Sequence, residues 1–166
     1  SLLQLGYDLS DFTVFYNGPR CGASAPDHIH FQAGAKGLLP IEEELDLLLS
    51  GHAEILAGNE KIKIYAVEDY LRRFICLRSP EKETLIKQIN HIISFLPQTD
   101  NEEPMMNILV WYQPFYWNVV LFPRALQRPC QYFADEFDRL VISPAAVEMG
   151  GLVILPREED FYKLTD

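Results

Sequence analysis

The sequence predicts an α+β domain built on an antiparallel sheet. Three observations carry this. A β-branched and aromatic run at residues 11–16 ends on Asn17-Gly18-Pro19. Paired strand-like runs flank the turn signals Gly58-Asn59 and Gln113-Pro114. Two segments, 40–50 and 79–96, place apolar residues at helical spacing.

In chain order, residues 11–16 read as a strand stopped by a glycine-proline turn, and residues 28–33 as the strand that follows. Ile41, Leu45, Leu48 and Leu49 give residues 40–50 the apolar stripe of a short amphipathic helix, with Gly51 placed to end it. Residues 53–57 and 61–67 form a hairpin about Gly58-Asn59, and 71–77 a further strand. Ser79-Pro80 supplies an N-cap and a first-turn proline for a helix with Leu85, Ile89, Ile92 and Leu96 on one face, stopped by Pro97. Residues 98–104 read as a polar loop, and 105–112 and 115–122 as aromatic-rich strands closed by Pro123-Arg124. Residues 133–141 have a mixed pattern that admits a helix. Leu152 to Leu155 read as a short buried strand between Gly150-Gly151 and Pro156, and 158–164 as a last helical turn. There is no internal repeat and no low-complexity segment.

At 166 residues and 48% hydrophobic, the chain can bury one core of ordinary size, so one domain is expected. No apolar run reaches membrane-spanning length, and the first residues lack the pattern of an export signal. Cys21, Cys76 and Cys130 are odd in number and form no CxxC pair, which suggests neither a disulfide framework nor a zinc knuckle and fits a cytoplasmic compartment. A net charge of -10 argues against a general nucleic-acid binder, so any phosphate ligand needs a locally arranged site. The acidic run Glu42, Glu43, Glu44, Asp46, Glu54 and Glu60 reads as a solvated face.

The chemistry concentrates in residues 17–32. Read as a strand, residues 28–33 send His28, His30 and Gln32 to one face and Ile29, Phe31 and Ala33 to the core. The preceding loop, with Gly18, Gly22 and the small residues Ala23, Ser24 and Ala25, lets backbone N–H groups approach a ligand closely. A bare HxH is more often a half-buried polar face; the neighbouring Asn17, Ser24 and Gln32 reverse that balance in favour of a site. His52 and His91 lack such company. Cys21 has no separate base and reads as a small loop residue. Trp111, Tyr112, Phe115, Tyr116 and Trp117 suit core or an oligomer interface better than a stacking platform.

Asn17, Gly22, Ser24 and His28-Ile29-His30-Phe31-Gln32 resemble the histidine-triad superfamily in its transferase form, with HxHxQ in place of the hydrolases' HxHxH. The spelling from Cys21-Gly22-Ala23-Ser24 through Pro26 to His30-Phe31-Gln32 is similar to dinucleoside tetraphosphate phosphorylases (ATP adenylyltransferases) and to plant GDP-galactose phosphorylases. The stretch Asn107 to Trp111, then Val119 to Arg124 and Glu148 to Leu152, resembles the C-terminal part of those enzymes. The resemblance implies a single histidine-triad-like domain over 1–166 with helices on one face of the sheet. Such relatives carry further strands before the Asn-Gly turn, so the chain is expected to be a fragment of a longer protein.

The implied activity is a nucleotidyltransferase or nucleotide phosphorylase working through a nucleotidyl-histidine intermediate. A neutral imidazole can attack phosphorus at physiological pH, and His30 matches the nucleophile. Gln32 would donate to a phosphoryl oxygen as charge develops, and His28 would set the orientation or tautomer of His30, directly or through backbone. Asn17, Gly22 and Ser24 would hold phosphates, with Arg20, Lys36 and Arg124 as the candidate cations. The zinc-binding cysteines of some uridylyltransferases have no counterpart, so no metal site is expected; Mg²⁺ is the one candidate cofactor. Expected partners are a nucleotide or nucleotide sugar and a phosphate or sugar phosphate acceptor, without nucleic acid or membrane, and with a homodimer as the candidate assembly. A non-catalytic nucleotide-binding module and a nucleotide hydrolase are the alternatives.

Overall fold

The structure, a computed structural model, describes residues 1–98 and 102–164. Its centre is a hairpin, β6 (Met106–Gln113) and β7 (Tyr116–Pro123), in register from Met106↔Pro123 to Gln113↔Tyr116. Residues 106–111 and 117–122 are buried without interruption. A strand that is buried at every position rather than at alternate ones is covered on both faces.

Around this hairpin lie β1 (Phe12–Asn17), β2 (Gln32–Ala35), β3 (Ala53–Gly58), β4 (Lys63–Val67) and β5 (Phe74–Ser79). The seven strands take the order β2-β1-β6-β7-β5-β4-β3, and every neighbouring pair is antiparallel. The predicted α+β class and antiparallel sheet are thus observed. The helices do not share one face, and that expectation is corrected. Helix α2 (Pro40–Gly51) buries Ile41, Leu45, Leu48 and Leu49 against Phe15, Tyr65, Val67, Leu109, Trp111 and Phe122; α4 (Ala146–Met149) adds Ala146 to this layer. On the other face, α1 (Leu2–Asp8) and α3 (Lys82–Phe95) cover Tyr16, Ile64, Leu77, Ile108, Val110, Val119 and Leu121. Full burial of each such side chain is worth about 1.5–3 kcal/mol, so an uncovered second face would be costly.

The hairpin at Gly58, the α2 helix and the closing helix α5 (Glu158–Lys163) lie where the pattern put them. Helix α1 was not anticipated. Gly6 weakens its propensity, yet a Cβ there would stand 2.9 Å from Val110 Cγ1, so glycine permits the close approach to β6. Helix α3 starts later than expected, with Glu81 at the N-cap; Ser79 ends β5 and its hydroxyl accepts from Glu81 N at 2.9 Å. Residues 133–141 are irregular apart from the end of a 3₁₀ turn, Cys130–Phe133. Residues 152–155 are not a strand: they have no ladder partner, and Val153 and Ile154 are exposed. The loop expected over 98–104 lies partly outside the described residues.

The acidic run is more than a solvated face. Glu42 accepts from Gly37 N and Leu39 N and takes the Thr13 hydroxyl, while Glu44 accepts from Tyr70 Oη at 2.6 Å. Asp46 pairs with Arg78 at 2.6 Å. No described helix is long and apolar enough to cross a membrane.

Candidate active site

The loop joining β1 to β2 is stitched down at its start. Gly18 N donates to Met106 O at 3.0 Å, and Cys21 N to Gly18 O at 2.8 Å. Gly22 follows at φ +86, where a Cβ would lie 2.5 Å from Ala145 Cβ. Glycine is demanded there twice, by the left-handed backbone and by the residue before α4 pressing on it. Gly22 thereby packs the loop against the residue that precedes α4.

The predicted histidine strand begins only at Gln32. The ladder between β1 and β2 stops at Phe15↔Gln32, and residues 28–31 have no partner, so His28 and His30 stand in irregular chain on an edge of the sheet. Ile29 is 75% exposed and Phe31 38%, which corrects the expectation that they enter the core; Phe31 instead packs edge-on to Tyr16.

Hydrogen bonds, rather than strand alternation, orient the imidazoles. His30 Nδ1 lies 3.2 Å from the backbone oxygen of His28, and its Nε2 lies 3.4 Å from Ser24 Oγ. A carbonyl can only accept, so Nδ1 carries the hydrogen and Nε2 holds the lone pair facing the serine. The link between the two histidines thus runs through backbone. His28 Nδ1 itself meets Asp27 Oδ1 at 3.2 Å.

A chain of amides starts at the end of β1. Asn17, at the end of β1, pairs with Asn107 near the start of β6, and both are buried. Asn107 Nδ2 donates to Asn17 Oδ1 and to Cys21 O, each at 2.8 Å. Asn17 Oδ1 also accepts from Ala146 N at 2.7 Å, and its Nδ2 donates to Gln32 Oε1 at 3.2 Å. Arg124 Nη1 donates to Asn107 Oδ1 at 2.6 Å.

The structure therefore gathers Ser24, His28 and His30 in one hydrogen-bonded group and Asn17 and Gln32 in another, and Asn17 and His28 line one hollow. Arg20 stands on the exposed side of the loop in a 3.0 Å pair with Glu102. Lys36 is not at the site. It follows the far end of β2 and donates to Tyr112 O at 2.6 Å, near the opposite end of β6 from Asn107. Arg124 reaches the site only through Asn107; its guanidinium otherwise donates to the carbonyls of Pro144, Leu126 and Gln127. Burial pushes the Cys21 thiol up, in keeping with a packed loop residue rather than a nucleophile. Trp111 and Trp117 are buried in the two cores. Asn107 was missed as a functional residue. An asparagine heading an otherwise apolar strand was its available signal, since a buried amide must find partners.

Among the described residues no three His, Cys, Asp or Glu side chains converge to hold a metal ion. The loop encloses a hollow of ≈ 110 Å³ lined by Asn17, Pro26, Asp27 and His28 among others. Beside it an apolar cleft of ≈ 390 Å³ runs between α1, α3 and the sheet, with Ile29 and Phe31 on its wall.

An open antiparallel α+β sheet with a histidine-bearing loop at its edge is the class of protein that these features define. Residues 49–166 match the family described as GDPGP1-like, C-terminal domain, and the chain belongs to that family. Residues 1–35 match a domain of unknown function, DUF4922. A similar fold occurs in the crystal structure of a DUF4931 family protein from Bacillus cereus ATCC 10987, with a TM-score of 0.51 and 16% identity over 90% of this chain and 70% of that one. The search of curated proteins found no match.

Proposed function

We propose that the chain carries the catalytic site of a nucleotide-sugar phosphorylase of the histidine-triad type, working through a nucleotidyl-His30 intermediate. The observation that carries this is the His30 imidazole, whose Nδ1–H is committed to the His28 carbonyl while its Nε2 lone pair faces Ser24. Family membership supports the reaction class.

In this reading Nε2 attacks the α-phosphorus of the nucleotide sugar, and the bond from that phosphorus to the bridging oxygen breaks. The sugar phosphate leaves with the electron pair. The imidazole becomes cationic, keeps its Nδ1 hydrogen and leans it on the His28 carbonyl, so no proton need be lost. Inorganic phosphate then attacks the same phosphorus, the P–N bond breaks and its electrons return to Nε2, freeing a nucleoside diphosphate. Gln32 donates to the phosphoryl oxygens, but as an amide it has no proton to supply, which favours transfer over hydrolysis. Ser24 can turn its hydroxyl from Nε2 to a phosphoryl oxygen. The cleft beside Ile29 and Phe31 has the size of an ordinary small-molecule site and suits the rest of the nucleotide.

Mass spectrometry of the intact protein after incubation with a GDP-sugar, or with ATP, tests this. A nucleoside monophosphate adduct is expected that phosphate clears and that His30→Ala never forms. Binding without an adduct would favour a non-catalytic module, and clearance by water alone would make the protein a hydrolase.

A further inference from the structure

Asn107 is fully buried, yet each end of its amide is engaged, and the bonds form one directed series from Arg124 to Gln32. We infer that Asn107 is a positioning residue: acting through Asn17, it fixes which end of the Gln32 amide faces the substrate phosphate. This rests on the proposed role of Gln32 as a donor to phosphoryl oxygen.

Chemistry sets the direction of the series at every link. A guanidinium only donates, so the end of Asn107 that Arg124 meets at 2.6 Å is Oδ1. The Cys21 carbonyl only accepts, so the end that meets it at 2.8 Å is Nδ2. That same Nδ2, together with the backbone N–H of Ala146, gives hydrogens to Asn17, which therefore turns Oδ1 inward. Asn17 is left with Nδ2 toward Gln32, and Gln32 answers with Oε1. The remaining end of Gln32 is Nε2, a two-hydrogen donor, and no described residue accepts from it. Gln32 is exposed, so a ligand oxygen can reach that end.

An unrestrained glutamine amide at a strand end presents oxygen or nitrogen by rotation about its last bond. Only the nitrogen suits a phosphoryl oxygen; the other end would repel it. The buried series makes the productive face the resting one, so orientation is settled before substrate arrives. The Arg124 guanidinium, tied to Asn107 and to three carbonyls, is the fixed end of the series.

Asn107→Asp is the test. The carboxylate keeps the shape and gains a charge partner in Arg124, but it has no hydrogen for Asn17 Oδ1 or for Cys21 O. Inorganic pyrophosphate serves as probe, followed through the ¹⁵N-resolved side-chain amide of Gln32. The wild-type resonance should move on titration and that of Asn107→Asp should not; with a GDP-sugar and phosphate, kcat should fall about tenfold or more while KM changes far less. A Gln32 resonance that ignores pyrophosphate in the wild type, or answers alike in both proteins, overturns the inference. Pyrophosphate cannot leave a nucleotidyl adduct, so this readout is independent of His30: a response without any adduct sinks the phosphorylase reading and leaves the positioning role standing. Should Asn107→Asp not fold, the wild type still decides. Its Asn17 and Asn107 side-chain hydrogens should exchange about a hundredfold more slowly than those of exposed Gln98, and equal rates refute the series.

Discussion

An amide at position 32 can lend a hydrogen bond but not a proton, and that distinction sets what its loss should do. Gln32→Ala removes a donor that matters most as charge develops, so kcat should fall about 10²-fold while KM moves much less. Steady-state kinetics with a GDP-sugar and phosphate check this, and an unchanged kcat would end the role assigned to Gln32. The pattern Asn17, Ser24, His28, His30 and Gln32 was legible as a group because those residue types at that spacing are unusual together. Its internal wiring was not legible. Nothing in the sequence says that Asn17 spends its amide on Asn107, Ala146 and Gln32, because those contacts span up to 129 positions. Nor does spacing reveal that Arg124 donates to backbone carbonyls rather than to a ligand.

Among the elements, the β6–β7 hairpin was readable almost to the residue, since long apolar runs about Gln113-Pro114 leave little choice of register. Its turn holds a local conflict. Phe115 adopts φ 81 and is 83% exposed, in a position that favours glycine. Phe115→Gly should relieve the left-handed backbone at some cost in chain entropy, a net stabilisation of about 0.5–1 kcal/mol measurable by denaturant unfolding. Equal or lower stability would show that the aromatic side chain earns its place by packing. Two other strand readings failed for a shared reason. Residues 28–31 and 152–155 have strand-like composition, yet a strand exists only where a neighbour supplies a ladder, and neither segment has one.

On the scale of the whole molecule, the C-terminal segment is what closes the site from below. Pro144 accepts from Arg124, Ala145 packs on Gly22 and Ala146 N donates to Asn17. That segment is moored by the buried Asp160, which accepts from Val141 N at 2.9 Å and from the Arg157 guanidinium at 2.6 and 2.8 Å. The Arg157 hydrogen bonds hold its carboxyl below the usual carboxylate range. A depressed folded pKa means that the stabilisation is complete above the unfolded value of about 3.9 and is lost as pH falls through the folded value. Hydrogen exchange across residues 141–149 should therefore quicken on acidification before β6 and β7 respond, and Asp160→Asn should reproduce the effect at neutral pH. Equal protection in that variant would refute the mooring.

By itself the sequence determined the α+β class, the central hairpin, most helix positions and the identity of the stretch that bears the histidines. These follow from local periodicity, turn chemistry and residue type, all of which act over a few positions. Only the tertiary structure decided that both faces of the sheet are covered, that the histidines stand outside the ladder, that Lys36 lies away from the site, and that Asn107 joins Arg124 to Gln32. Each of these depends on which distant groups meet. A buried amide or an unpaired edge is defined by its partners, and partners come together only when the sheet closes.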